Sequence, residues 1–194
     1  VMDSGHRLDR DVAANVLVRR PNKLLSHRVG DDVEQAFYYD GQVLTLHMQS
    51  PGVNAYATTG APANIEETLD FARESLDLTI PVADLVYRNA QAILMDGVVF
   101  AEVVGEVTIG ENRCTHLAFR HTDVDFQVWV SVGEVPLPCK YVVTDISTPA
   151  LLSIVSVMSD WDLAPEAEDS LFEYVPSGGA QAVEFLSLAN DSDR

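Results

Sequence analysis

Phe37-Tyr38-Tyr39-Asp40-Gly41-Gln42-Val43-Leu44 is the stretch on which the fold turns. An Asp-Gly pair tolerates the positive φ angles of a type I′ turn, and aromatic and aliphatic runs flank it, so the segment reads as a tight β-hairpin. With Asp40-Gly41 as the loop, Tyr39 faces Gln42, Tyr38 faces Val43 and Phe37 faces Leu44. Side chains alternate across a strand. One face therefore carries Phe37, Tyr39, Leu44, Leu46 and Met48, and the other Ala36, Tyr38, Val43, Thr45 and His47. The first is the more apolar and is the expected core face. Upstream, Val12, Ala14, Val16 and Val18 alternate with Ala13, Asn15, Leu17 and Arg19 at strand period. Arg20-Pro21-Asn22-Lys23 breaks that strand, Leu24 to Val29 forms a second, and Gly30-Asp31-Asp32 breaks again. Downstream, Ser50-Pro51-Gly52 turns the chain and Val53 to Thr58 returns as a strand.

Helix signals follow. Asn64 is a good N-cap, with Glu67 three residues later as in a capping box. Ile65, Leu69, Ala72 and Leu76 form one apolar stripe, and Glu66, Glu67 and Asp70 suit the positive end of the helix dipole. Pro81 suits the first turn of a second helix, whose stripe of Val82, Leu85, Val86, Asn89 and Ile93 runs to about Met95, where Asp96-Gly97 ends it. Strands then resume: Val99 to Ile109, Arg113 to His121, Val124 to Val132, Lys140 to Ile146, Leu151 to Trp161, and Ala182 to Leu186. The tail from Asn190 to Arg194 is polar and reads as frayed.

The expected organisation is one domain over 1–194, with strands over about 8–58, helices over about 64–95 and strands over about 98–188. Hairpin-length connections imply an antiparallel sheet, and one helical insertion implies an α+β arrangement. About ten strands in one sheet would curl, and the two helices would cover the concave side.

Composition narrows the function. The chain has 194 residues, 30 of them acidic and 12 basic, for a formal net charge of −18. That charge repels nucleic acid and anionic membrane surfaces at long range, so neither is an expected partner. No apolar run approaches the ~20 residues of a transmembrane helix. The chain opens with no basic segment followed by an apolar stretch, so no leader is read within it. No phosphate-cradling glycine pattern and no Gly-x-Ser-x-Gly elbow occurs, and no cofactor is read.

The most informative strand pair runs from Cys114 to Ser131. With its turn at Thr122-Asp123, Leu117 faces Val128, Phe119 faces Phe126 and Thr115 faces Val130 on an apolar side. Arg120 faces Asp125, Ala118 faces Gln127, His116 faces Trp129 and Cys114 faces Ser131 on the other. This second side brings together a thiol, an imidazole and a carboxylate. As a catalytic group it is weak, because Asp125 already has Arg120 opposite it and lies well along the strand from His116. A solvated sheet face with one cross-strand ion pair explains it better. Cys114-x-His116 offers two metal-ligand types where a closed zinc site wants four. If Val124 to Val132 lies between the strands of Cys114 and Cys139, two strand spacings, about 9.5 Å, separate them. A disulfide needs Cα atoms within about 7 Å, so free thiols are expected. The apolar residues Phe37, Tyr39, Leu44, Leu46, Phe71, Leu117, Phe119, Phe126 and Met158 either pack as core or line a cavity under the curled sheet.

Several motifs together resemble a bacterial family of predicted periplasmic proteins of unknown function. They are Arg20-Pro21-Asn22-Lys23 between strands, Phe37-Tyr38-Tyr39-Asp40-Gly41 and Val53-Asn54-Ala55-Tyr56-Ala57. In the second half they are Cys114-Thr115-His116-Leu117-Ala118-Phe119-Arg120, Val124-Asp125-Phe126-Gln127-Val128-Trp129, Pro136-Leu137-Pro138, Ser159-Asp160-Trp161 and Asp169-x-x-Phe172-x-Tyr174-x-Pro176. The resemblance covers nearly the whole chain. That family is similar to the superfamily of LolA- and LolB-type lipoprotein carriers. This implies a half-open antiparallel barrel closed by helices and a place in the periplasm or cell envelope. It supplies no catalytic residues.

Two functional expectations result. In the first, a lipid or lipoprotein acyl chain lies in an apolar cavity between sheet and helices, lined by the nine residues above, without catalysis. In the second, the protein is a ligand-free envelope interaction or sensor module, an envelope protein is its partner, and His116, Arg120, Asp125, Gln127 and Trp129 form the contact face.

Overall fold

The computed structural model describes residues 9–78, 80 and 82–185. They form two compact units, one of residues 9–88 with 166–185, the other of residues 89–165.

The first unit is a sheet in the order β1-β2-β3-β4-β5-β11, where β1 is Val12–Arg19, β2 Lys23–Gly30, β3 Glu34–Tyr39, β4 Val43–Ser50, β5 Val53–Gly60 and β11 Gln181–Val183. The first five strands are an antiparallel meander, and β11 joins β5 in parallel. The Asp-Gly hairpin forms, with its register displaced by two residues: Tyr39 pairs with Leu44, Tyr38 with Thr45 and Phe37 with Leu46. The Asp40 carboxylate causes the displacement. It accepts from the backbone N–H of both Gln42 and Val43, at 2.8 Å each, which moves the turn centre to Gly41-Gln42. A displacement of two keeps every side chain on its expected face. Phe37, Tyr39 and Leu44 are accordingly buried.

α1, Ile65–Leu76, begins where Asn64 caps it, accepting from Glu67 N at 2.9 Å, and buries Ile65, Leu69 and Ala72. The Tyr39 hydroxyl donates to the Pro62 carbonyl at 2.5 Å and Thr68 Oγ1 donates to the same oxygen at 3.2 Å, which fixes the start of α1 to the Tyr39 face of the sheet. The expected second helix does not form as one piece. Val82 takes a left-handed φ of 67°, a 3-10 turn covers Ala83–Leu85, and α2 is only Ala90–Met95. Tyr87 bends back instead, donating to Asp70 at 2.7 Å. Pro81, read as that helix's first turn, lies outside the described residues, as do 1–8, Leu186 and the tail 190–194.

The second unit is a sheet in the order β10-β9-β8-β7-β6, with β6 Phe100–Ile109, β7 Asn112–Arg120, β8 Val124–Ser131, β9 Pro138–Asp145 and β10 Ser153–Val157. β10 is shorter than the expected Leu151–Trp161 strand. Gly97 turns the chain from α2 towards β6 with φ 72°, and a Cβ there would run into the His121 ring. Glycine is therefore required at that point.

This architecture overturns the expected fold class. The chain is mainly β, in two sheets, and neither is closed or strongly curled. Among the described residues the two α-helices, one of 12 residues and one of 6, do not form a cover over a half-barrel. The single wide sheet, its concave face and the LolA-like frame all lapse with that finding. Among the described residues no helix is long and apolar enough to cross a membrane.

Candidate functional site

The five-stranded sheet presents one face built around Trp129. The expected β7–β8 register holds in full, from Cys114 opposite Ser131 to Arg120 opposite Asp125. Three adjacent strands then place His116, Trp129 and Lys140 in one cross-strand row. The His116 ring stacks on the indole from the β7 side, centroids 4.0 Å apart and 11° from parallel. Lys140 Nζ lies 4.8 Å from the indole centroid from the β9 side, within range of a cation–π contact. Trp129 is thereby held to 8% exposure. Gln127 fixes the imidazole, with His116 Nε2 and Gln127 Oε1 2.8 Å apart.

Farther along the strands, Arg120 grips Asp125 with two bonds, Nε to Oδ1 at 2.7 Å and Nη2 to Oδ2 at 2.6 Å. The hydrogen bonds from Arg120 hold the Asp125 carboxyl below the usual carboxylate range. Val155 and Val157 of β10 continue the same face through their pairing with Val142 and Lys140, at 59% and 66% exposure. All five expected contact residues, His116, Arg120, Asp125, Gln127 and Trp129, thus sit on one surface, with Trp129 as its buried centre.

The other end of this face corrects the expectation of free thiols. Cys114 and Cys139 form a disulfide with a Cα–Cα distance of 6.9 Å, although β8 lies between their strands. The ladder from β8 to β9 slips between Trp129 and Val130, so Trp129 pairs with Lys140 and Val130 with Pro138. Cys139 is the extra residue of that bulge, and regular strand spacing does not hold there. Both sulfurs are buried and pack against Trp129, with Ile109 and Val142 alongside. The Cys114 sulfur is therefore bonded, and the thiol–imidazole pair considered from sequence is not formed.

The nine apolar candidates fall in two groups. Phe37, Tyr39, Leu44, Leu46 and Phe71 belong to the first unit, where the first three are core and the last two half-buried. Leu117, Phe119, Phe126 and Met158 belong to the second. There Phe119 stacks on Phe126 at 4.7 Å, on the sheet face opposite Trp129. An open depression of about 500 Å³ lies where Gln49, Ser50, Asn54 and Gln181 meet, and none of the nine lines it.

The first unit holds an aromatic cluster that was not anticipated. Tyr174 sits over Tyr38, His47 and Tyr56, with ring centroids 5.4, 5.1 and 5.1 Å away. His47 Nε2 meets Asn54 Oδ1 at 2.9 Å. Beside it, Phe172 is buried under the Arg19 guanidinium, 5.2 Å from its ring centroid, and Arg19 also donates to the Ala167 carbonyl and pairs with Asp169. The strand pairing His47–Tyr56 could be read from the Pro51-Gly52 turn, whereas nothing local announces that Tyr174 returns to it.

A family model described as "Predicted periplasmic protein (DUF2092)" matches residues 1–186. The chain belongs to the DUF2092 family. Its compartment is accordingly the periplasm, as the sequence motifs implied. No curated protein and no solved structure matches this DUF2092 chain, and nothing in the comparisons extends to the lipoprotein carriers.

Proposed function

We propose that this periplasmic protein is a non-enzymatic interaction module whose contact surface for an envelope protein is the Trp129 face of the five-stranded sheet. The observation that carries the proposal is the row His116–Trp129–Lys140, a rigid aromatic centre bordered by exposed Val155 and Val157 and by the Arg120–Asp125 pair. Aromatic and arginine residues are enriched at protein interfaces, and here the buried indole holds the half-buried His116 and Lys140 in a fixed row that a partner would meet, with Arg120 and Asp125 as a polar rim. Rigid strands also hold such a surface better than loops do.

The test places a photo-crosslinking residue at Val155 or Val157 in the periplasm, with Val12 of the first unit as control. The expected result is a discrete adduct from the β10 positions that is absent from Val12 and lost when Arg120→Glu is added. Adducts that are identical from all three positions, or absent from all, would refute the reading.

A second reading retains a lipid or lipoprotein acyl chain as ligand, adsorbed on the opposite face rather than enclosed. It is supported by Val103 and Ile154, which stay exposed on the side of Leu117, Phe119 and Phe126. Native mass spectrometry of protein purified without detergent, together with uptake of a fluorescent fatty acid, separates this reading from the first.

A further inference from the structure

β6 is an outer strand of its sheet. Such a strand offers a row of unpaired N–H and C=O groups to any extended chain that reaches it, and proteins blunt this with lysine, proline, brevity or a bulge. β6 runs for 10 residues without lysine or proline, and the charges it carries are Glu102 and Glu106, which discourage any acidic or uncharged strand from pairing there. A bulge is present: Val103 pairs with Leu117 and Gly105 with His116, which leaves Val104 over. It divides the edge into Phe100–Val103 and Gly105–Ile109 and so limits pairing to short segments. Every residue from Phe100 to Thr108 is exposed, with Phe100 at 56% and Val103 at 71%. Single exposed apolar residues are ordinary, but Phe100, Val103, Val104 and Val107 all stay exposed along this one open edge, with Glu102 and Glu106 between them.

Charge selects the occupant. The cations of residues 89–165 are Arg113, Arg120 and Lys140, and each is engaged, with Glu106, Asp125 and the Trp129 ring respectively. Glu102 has no cationic partner among the described residues. Phe100 and Glu102 share one side of the strand, Ala101 and Val103 the other. A second copy of this chain would bring a net charge of −18 against that carboxylate, whereas a basic segment would neutralise it.

We propose that Phe100–Val103 is a docking strand for an extended segment of another protein, one that presents apolar residues together with a lysine or arginine aligned with Glu102. The proposal rests on the reading of this sheet as an interaction module and concerns its β6 edge, where Phe100 and Glu102 lie on the same side as Arg120 and Trp129. Main-chain bonds supply the affinity and alternate side chains the specificity, as in other strand additions.

A blocked peptide of alternating valine and lysine is the probe, read by fluorescence anisotropy and by hydrogen exchange on the full chain. Protection is expected at the Phe100–Val103 amides. Binding should fall about tenfold for the same peptide with a central proline, the effect of losing roughly 1.4 kcal/mol of ladder bonding. Glu102→Lys should weaken the valine–lysine peptide about tenfold and admit a valine–glutamate peptide instead. As Glu102 is exposed and has no cationic partner among the described residues, this variant should keep the wild-type circular dichroism. Equal binding of the proline peptide, indifference to Glu102→Lys, protection confined to other strands, self-association that the peptide does not displace, or adsorption to phosphatidylethanolamine–phosphatidylglycerol vesicles in place of the peptide would each overturn the proposal. If the Val155 adducts persist while the peptide fails, the edge inference alone is lost. If the peptide binds while those adducts are missing, the face reading alone is lost.

Discussion

Asp125 is held below its ordinary pKa chiefly by the hydrogen bonds from Arg120, which outweigh the opposing effect of burial, with the guanidinium charge adding a lesser lowering. The sign of the pH dependence follows from that direction. A carboxyl whose folded pKa is depressed contributes stability above its unfolded value, near 3.9, and loses it as pH falls through the lowered folded value. Asp125→Asn should therefore be less stable than wild type at about pH 6, and the difference should shrink as pH falls below the usual carboxylate range. Thermal melts over a series of falling pH values check this, and an unchanged difference would show that the pair contributes through shape rather than charge. Arg120→Lys should behave like a partial loss, because an ammonium cannot make both bonds of the guanidinium fork.

Among the elements, the disulfide sets the strongest expectation. It closes a separation of 25 residues and ties β7 to β9 across β8. Replacing both cysteines with serine should destabilise residues 89–165 by about 3–4 kcal/mol, the order expected for closing such a loop. Hydrogen exchange should show the loss in β7, β8 and β9, while β2, β3 and β4 keep their protection. Equal loosening of both sheets would contradict the assignment of the bridge to one unit. The bridge was illegible beforehand for a geometric reason. Spacing arithmetic assumes a regular ladder, and Pro138, although proline within a sheet favours a strand start or a bulge, does not by itself say that the irregularity brings Cys139 within reach of Cys114. The β7–β8 register was legible because its short turn leaves one pairing that keeps Phe119 and Phe126 on one side and Arg120 with Asp125 on the other. The β3–β4 register was legible only modulo two, since the Asp40 side chain rather than the Asp-Gly backbone placed the turn. Asn64 announced α1 correctly, but the apolar stripe after it did not reveal that Tyr87 would leave the helical path to reach Asp70. Of the candidate site, the Trp129 face could be read from strand parity, whereas the Lys140 contact needed the β8–β9 register.

For the whole molecule, the excess of 30 acidic over 12 basic residues governs which encounters are productive. Association with a basic segment should weaken as ionic strength rises from about 0.01 to 0.15 M, over which the screening length falls from about 30 to 8 Å. Duplex DNA should give no retardation at either strength, and a clear shift would show that a local basic surface outweighs the net charge. The misjudged fold class also belongs to this scale. Local patterns gave strands, turns and α1, but whether the eleven strands of the described residues make one sheet or two depends on contacts between residues far apart in the chain. The parallel joining of β11 to β5 is the clearest case, since well over a hundred residues separate the partners and no turn links them. That joining has a consequence for biogenesis. A chain emerging from its N-terminus delivers β1 to β5 early, yet the outer edge of β5 stays bare, and Tyr38 and Tyr56 stay uncapped, until Phe172, Tyr174 and Gln181–Val183 arrive behind the entire disulfide-bonded unit. The first sheet to be synthesised is thus the last to be completed, and during that wait its open flank is where a folding helper would be needed.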